Sequence, residues 1–326
     1  MTLTKRAMLA GLAAAPMALS ACTRAQSDTL GTEANPIPVL LDWKAEPLYA
    51  GFYIADRQGF YREEGVFTRI VEGNGATSTA QVVAVGNEYV IGSNSGAATV
   101  IGRSKGERLK SLAVYYHDTP TVVYSLGRKP IRTPADLVGK RIGAAVGSIN
   151  NDEFRGLMQA NNIDPSSVTI VGVGFDVAPL LSNQVDGLLN YAELTPVQLA
   201  VDGQDVVTLR MSDYGVNTYS LNLIANEDAW ARNPEVLKKV ARATTRAYQL
   251  IKDNPDQASE IFLQAFPEKS RAFVQASMRV VAQQLGGDAA VGSQTVDGWQ
   301  ETIQTLDRLG LLQGQVAAAD LPVSVA

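Results

Sequence analysis

Leu40-Leu41-Asp42-Trp43-Lys44 opens a stretch that runs through Pro47-Leu48-Tyr49-Ala50-Gly51-Phe52-Tyr53-Ile54-Ala55 to Gly59-Phe60-Tyr61 and Glu63-Glu64-Gly65-Val66. It reads as a short apolar strand that ends in an acid and an indole. A turn rich in glycine and aromatics follows, and then an amphipathic helix. A strand that opens directly onto a helix places its last residues at the carboxyl edge of a sheet, where α/β folds bind ligands. An indole at that edge offers a flat apolar face to a ring-shaped ligand.

Working outward, strand and helix signals alternate, which predicts the α/β class. Strands are predicted over 37–41, 67–71, 89–91, 109–116 and 121–126, with helices over 79–85 and 96–103. Thr133-Pro134 marks a short helix start, with threonine as N-cap and proline at the first helical position. A second set follows, with strands over 141–145, 168–173, 187–190 and 206–210 and helices over 151–160, 177–182 and 194–201. Asn233-Pro234-Glu235 and Asn254-Pro255-Asp256 then start helices whose apolar spacing includes Val236, Val240, Thr244 and Tyr248. A third helix ends near Gly286-Gly287 and a last one spans 296–309; this group is expected to pack on the first lobe.

Residues 75–95 and 174–193 echo one another as loop, helix, short strand and polar end. Two similar βαβ halves would set two strand edges across a cleft, the geometry of a hinged two-lobe binding protein. Any two βαβ units share some of this likeness, so the echo alone leaves duplication open.

The 326 residues include one cysteine and one histidine and carry a formal net charge of −5. Lys5-Arg6, a short apolar run over 8–19 and Leu19-Ser20-Ala21-Cys22 read as a secretory leader with a lipoprotein cleavage site, so 1–21 is excluded from the fold. Cys22 is the expected lipid attachment point, and the polar stretch 22–35 is expected to be a flexible tether. No disulfide can form within a chain that has a single cysteine. Acidic balance and the lack of a basic patch argue against nucleic acid as a partner.

The opening stretch resembles the thiamine-precursor (pyrimidine) and sulfonate/taurine group of ABC-transporter solute-binding proteins. The resemblance rests on Asp42-Trp43, Ala50-Gly51-Phe52-Tyr53-Ile54-Ala55 and Gly59-Phe60-Tyr61 with Glu64-Gly65. Further matches are Val171-Gly172-Val173-Gly174-Phe175-Asp176, Val185-Asp186-Gly187, Asn190-Tyr191-Ala192-Glu193, Asp213-Tyr214-Gly215-Val216 and Leu223-Ile224-Ala225-Asn226-Glu227. The group's Pro-Asn-x-x-His after the tryptophan is absent; Lys44-Ala45-Glu46-Pro47-Leu48 stands there. The resemblance implies a two-lobe periplasmic-binding-protein fold, type II-like, with two hinge crossovers. These are placed near 126–132 and 212–220, so lobe 1 takes 36–126 and 221–326 and lobe 2 takes 127–220. It further implies a monomer in the periplasm, lipid-anchored to the membrane, that binds a small molecule without a cofactor. Its partners would be an ABC permease and its ATPase. The ligand implied first is a thiamine-precursor pyrimidine, with sulfonate/taurine and riboflavin-type solutes as alternatives.

Catalytic signals are sparse. His117 is the only histidine, no G-x-S-x-G accompanies it, and no His/Cys spacing suits a metal. Gly73-Asn74-Gly75 and Gly172-Val173-Gly174 fit neither the P-loop nor the dinucleotide fingerprint. The related thiamine pyrimidine synthases use a histidine, a lysine and a cysteine-rich motif. This chain lacks that motif and reads Gly92-Ser93-Asn94-Ser95 where the Lys/His pair should stand, so an enzyme is not expected.

The expected ligand-binding residues lie at strand ends and helix starts. Trp43 either stacks on a ring or sits in the core under the first helix, and only one of Asp42 and Trp43 need face the cleft. Asn94 and Ser95 either contact ligand or cap the next helix. Tyr116 and His117 end a strand near the crossover, His117 either walling the cleft or serving as a hydrogen-bonded structural residue. Ser148 and Asn150, after Gly147, open a helix whose N–H groups suit an anion or a carbonyl. Tyr191 and Glu193 occupy the matching edge of the second lobe. Glu193 can accept from the amino group and ring N–H of an aminopyrimidine, or can be a surface acid at a helix start.

Overall fold

The computed structural model describes residues 30–75, 77–145, 148–174, 176–287 and 289–325. The leader, Cys22, most of the expected tether, Gly147 and Phe175 lie outside the described residues.

The chain begins with β1 (Ile37–Leu40), α1 (Ala50–Arg57), α2 (Phe60–Glu63), β2 (Thr68–Val71), α3 (Thr79–Val85), β3 (Ile91–Asn94), α4 (Gly96–Ser104) and β4 (Leu109–Tyr116). It continues with β5 (Thr121–Leu126), β6 (Arg141–Ala144), α5 (Ile149–Ala160), β7 (Thr169–Gly172), α6 (Ala178–Leu181), β8 (Gly187–Tyr191), α7 (Thr195–Val201) and β9 (Val206–Arg210). It ends with β10 (Ser220–Asn226), α8 (Glu227–Arg232), α9 (Pro234–Asp253), α10 (Pro255–Ala265), α11 (Arg271–Gln284) and α12 (Val296–Arg308).

These strands form two five-stranded sheets in the orders β2-β1-β3-β10-β4 and β7-β6-β8-β5-β9. The orders are equivalent. In each, three parallel strands are followed by one antiparallel strand, β10 from late in the chain in the first sheet and β5 from just before β6 in the second. The stretches that echo in sequence end on β3 and β8, which hold the same place in their sheets.

The first crossover differs from expectation. It spans 117–120, because β5 pairs with β8 and β9 and so belongs to the second lobe. All six residues of β5 are buried, so its pattern suits either sheet. Gly127-Arg128-Lys129-Pro130, which resembles a linker, is instead the turn from β5 toward β6. The second crossover spans 211–219.

Two local differences have physical causes. Residues 30–35 are docked rather than free: Gly31 N donates to Asn35 O, Phe67 N donates to Gly31 O, and Leu30 packs on the first core. The third strand runs through Gly92-Ser93-Asn94 instead of stopping at 91, because β10 pairs along it from Ala225↔Ile91 to Asn222↔Asn94. Burial between two neighbours keeps a polar segment in the sheet.

The main core joins β1, β3, β4 and β10 to α1 and the C-terminal helices. Phe52 meets Tyr115 and Tyr248 edge-on, and Tyr61 shares a 2.9 Å hydrogen bond with Thr244 of α9. At Gly51 a Cβ would come within 2.4 Å of the Tyr248 ring, so only glycine lets α1 and α9 approach this closely. Lobe 2 has its own clusters around Phe154, Leu157 and Ile142 and around Tyr124, Leu180 and Leu188.

Candidate functional site

From the first lobe, Asp42 leaves β1 partly buried and accepts from Ser93 Oγ at 3.1 Å and from the Tyr49 hydroxyl. Burial pushes its carboxyl above the usual aspartate range, and these donors offset only part of that. Trp43 is partly buried against the main core. The Gly73–Gly75 loop lies on it: Gly75 has φ +68°, and a Cβ there would stand 2.2 Å from Trp43 Cζ3. Bare backbone is therefore required over that edge of the indole. Asn94 ends β3, where its Oδ1 accepts from Ser95 N at 2.9 Å and its buried Nδ2 has no partner. Ser95 is the N-cap of α4, accepting from Ala98 N at 3.0 Å, so its side chain is committed to the helix.

From the second lobe, Ser148 caps α5 by accepting from Asn151 N, and also donates to Ala145 O at 2.8 Å. Asn150 Oδ1 stands 3.5 Å from Thr121 Oγ1. Both line a cavity of about 10 Å³ at the carboxyl edge of the second sheet, with Asn190 at the end of β8. That volume admits one water at most. Tyr191 ends β8 opposite Thr121 and packs across onto the core of the first lobe, as does Leu194.

Glu193 follows at the seam between the lobes and is fully buried. Tyr116, the last residue of β4, donates to its Oε1 at 3.4 Å, while Ser277 Oγ of α11 donates to its backbone carbonyl at 2.5 Å. Its Oε2 is buried with no hydrogen-bond partner. Burial pushes its carboxyl up to about 7; its own backbone, Tyr116 and Arg210 act in the opposite direction.

These acids and phenols form one neighbourhood. Burial first, and then Glu153, Asp42 and Glu193, raise the Tyr191 phenol. Tyr49 is raised by burial and Asp42, and Tyr116 by burial and Glu193. The Arg210 guanidinium lowers the Glu193 carboxyl against the effect of burial, and it also donates to Gln284 Oε1.

His117 is not brought to this group. Its Nε2 lies 2.7 Å from Ser293 O and its Nδ1 3.2 Å from Gly286 O, and the ring rests against Tyr219. It staples the end of β4 to the segment before α12.

Tyr49, Ser93 and Glu153 belong to the neighbourhood without having been expected in it. Tyr49 lies in the aromatic turn after Trp43, and that proximity is its only sequence signal. Ser93 alternates with Asn94 on β3 and so faces the side where Asp42 lies. An acid in the middle of a helix, as Glu153 is, ordinarily reads as solvent-facing.

A family profile described as "NMT1/THI5 like" matches residues 46–258. The formylaminopyrimidine-binding protein of Halalkalibacterium halodurans is 27% identical over 311 residues, covering 93% of each chain. The riboflavin-binding protein RibY of Chloroflexus aurantiacus is 26% identical and covers 82% of this chain and 79% of its own. A 4-amino-5-hydroxymethyl-2-methylpyrimidine phosphate synthase of Legionella pneumophila is 27% identical and covers 71% and 74%. Among solved structures, the alkanesulfonate-binding protein SsuA of Xanthomonas axonopodis pv. citri superposes with a TM-score of 0.67 at 15% identity, covering 88% of this chain and 98% of that one. The fold is that of the periplasmic binding proteins.

Proposed function

This chain belongs to the NMT1/THI5-like family, and on that premise we propose that it is the solute-binding protein of an ABC importer, capturing a thiamine-precursor pyrimidine. The observation that carries the ligand is Glu193, a buried carboxyl with one oxygen unpartnered among the described residues, set among phenols and acids with Arg210 nearby. An aminopyrimidine presents an amino donor beside a ring nitrogen. With its carboxyl near half protonation at neutral pH, Glu193 can accept from the amino group and donate its own O–H to the ring nitrogen. Trp43 and Tyr191, one from each lobe, are the rings assigned to stack on the pyrimidine. Asp42 and Asn94 add an acceptor and a free amide donor from lobe 1; Ser148 and Asn150 line the opposite wall.

A sulfonate has no donor to give the Asp42 and Glu193 carboxyls, and whatever negative charge they carry would oppose it. A riboflavin-type ligand is the competing reading, favoured by the relative of that name. The synthase-named relatives favour an enzyme, but the sole histidine here is packed between two backbone carbonyls away from the acids, so the proposal is of a binding protein. The remaining parts of the reading are a monomer delivered to the periplasm, anchored through Cys22, whose ligand-closed form is read by the permease and its ATPase.

The test is thermal stabilisation by hydroxymethylpyrimidine, formylaminopyrimidine, riboflavin, an alkanesulfonate and taurine. A ligand at about 100 times its Kd adds roughly 2.7 kcal/mol. Stabilisation by the aminopyrimidines alone supports the proposal; stabilisation by riboflavin or a sulfonate instead replaces the ligand.

A further inference from the structure

Glu153 lies on α5, three residues after Asn150, and is 3% exposed. Three threonine hydroxyls donate to its carboxylate: Thr119 at 2.8 Å, Thr121 at 2.6 Å and Thr218 at 2.8 Å. The three come from different places. Thr119 is in the first crossover, Thr218 is in the second, and Thr121 is the first residue of β5. The proton count closes. Each hydroxyl has one hydrogen to give, a carboxylate has about four acceptor sites, and the Thr121 N–H is satisfied by Thr119 Oγ1 at 3.2 Å.

A buried carboxyl is costly unless it is hydrogen-bonded, and this one has no ion-pair partner among the described residues. Packing alone is no reason to keep it. The bonds gather segments that have no other reason to share one anchor. The anchor also reaches the ligand wall. Asn150 lies one turn before Glu153 on α5, Thr121, whose one hydrogen goes to Glu153, is the register partner of Tyr191, and among charged groups Glu153 acts most strongly on the Tyr191 phenol.

We propose that Glu153 is the positioning residue of the hinge: its carboxylate fastens both crossovers and the start of β5 to helix α5, so that ligand contact at Asn150 and Tyr191 and bending of the crossovers are one coupled movement. The ligand in this statement rests on the function proposed above. The fastening does not, and it is tested without ligand.

Spin labels at Val85→Cys in lobe 1 and Leu181→Cys in lobe 2, both exposed positions, report the interlobe distance in the full chain carrying Cys22→Ser. Thr119→Val and Thr218→Val each remove one hydroxyl at nearly constant shape. Each is expected to move the ratio of open to compact conformers in ligand-free protein about tenfold, the worth of one hydrogen bond to a charged group. Glu153→Gln should move it further, with the melting temperature staying near that of the parent. Hydroxymethylpyrimidine release should accelerate in the same order. Unchanged distance distributions in folded Thr119→Val and Thr218→Val proteins would overturn the proposal, and these two variants decide it even where Glu153→Gln does not fold. If the parent binds no pyrimidine, the ligand assignment fails while the distance measurement still decides the hinge.

Discussion

Glu153 and Glu193 are both buried carboxyls where the two lobes meet, yet their surroundings differ. Glu153 has three hydroxyl donors at 2.6–2.8 Å, one from each crossover and one from β5. Glu193 has a bond from its own backbone, a long one from Tyr116 and, among the described residues, an oxygen with nothing to accept. Burial raises the pKa of both. A buried polar group left unsatisfied costs stability, and proteins retain such groups where a ligand completes them. The contrast supports the proposal that Glu153 serves the protein's own mechanics and Glu193 the ligand.

The comparison can be broken most forcefully at Glu193. Glu193→Ala removes a two-point partner of the pyrimidine, and the Kd for hydroxymethylpyrimidine should rise about 100- to 1,000-fold by calorimetry. An unchanged Kd would take Glu193 out of the site.

The next effect is one of pH, with ligand absent. The Glu193 carboxyl is raised from 4.5 to about 7 in the folded protein. Between those values the folded chain holds a proton that the unfolded chain releases, so stability falls as pH rises through the window and is level above it. Glu193→Gln deletes this contribution and should stabilise the ligand-free protein by roughly 3 kcal/mol at about pH 8 while weakening binding. Asp42 and Glu153, also raised by burial, leave a slope of the same sign in the variant. Denaturant titrations at several pH values check both parts.

Trp43→Ala tests the apolar half of the site. Loss of stacking worth about 0.5–1.5 kcal/mol predicts a Kd up to about tenfold higher. His117→Gln gives the smallest change in binding, because the ring serves Gly286 and Ser293 rather than the cleft. Its Kd should stay within about twofold of the parent, with a stability loss of about 1 kcal/mol seen in thermal melts.

The opening strand-turn-helix stretch carried much of this in the sequence itself. Leu40 through Val66 has the period changes and glycines that place β1, α1 and α2, and it brings Asp42 and Trp43 to a sheet edge. Other parts depended on tertiary pairing. β5 is buried at all six positions and suits either sheet, so its lobe was decided by pairing with β8 and β9. Glu153 sits mid-helix with no local mark of its three threonine partners, the nearest of which is 32 residues away. Residues 30–35 are polar enough to pass for a tether, and a backbone bond to Phe67 holds them to the domain. Local pattern places elements; the partners of isolated polar groups come from contacts distant in sequence.

The most direct test of the central claim is titration of the parent and Glu193→Gln proteins with hydroxymethylpyrimidine and with an alkanesulfonate, side by side. The account predicts saturable binding of the pyrimidine by the parent, a loss of at least about tenfold in the variant, and no sulfonate binding by either. Sulfonate binding that Glu193→Gln leaves untouched, with no response to the pyrimidine, would contradict it.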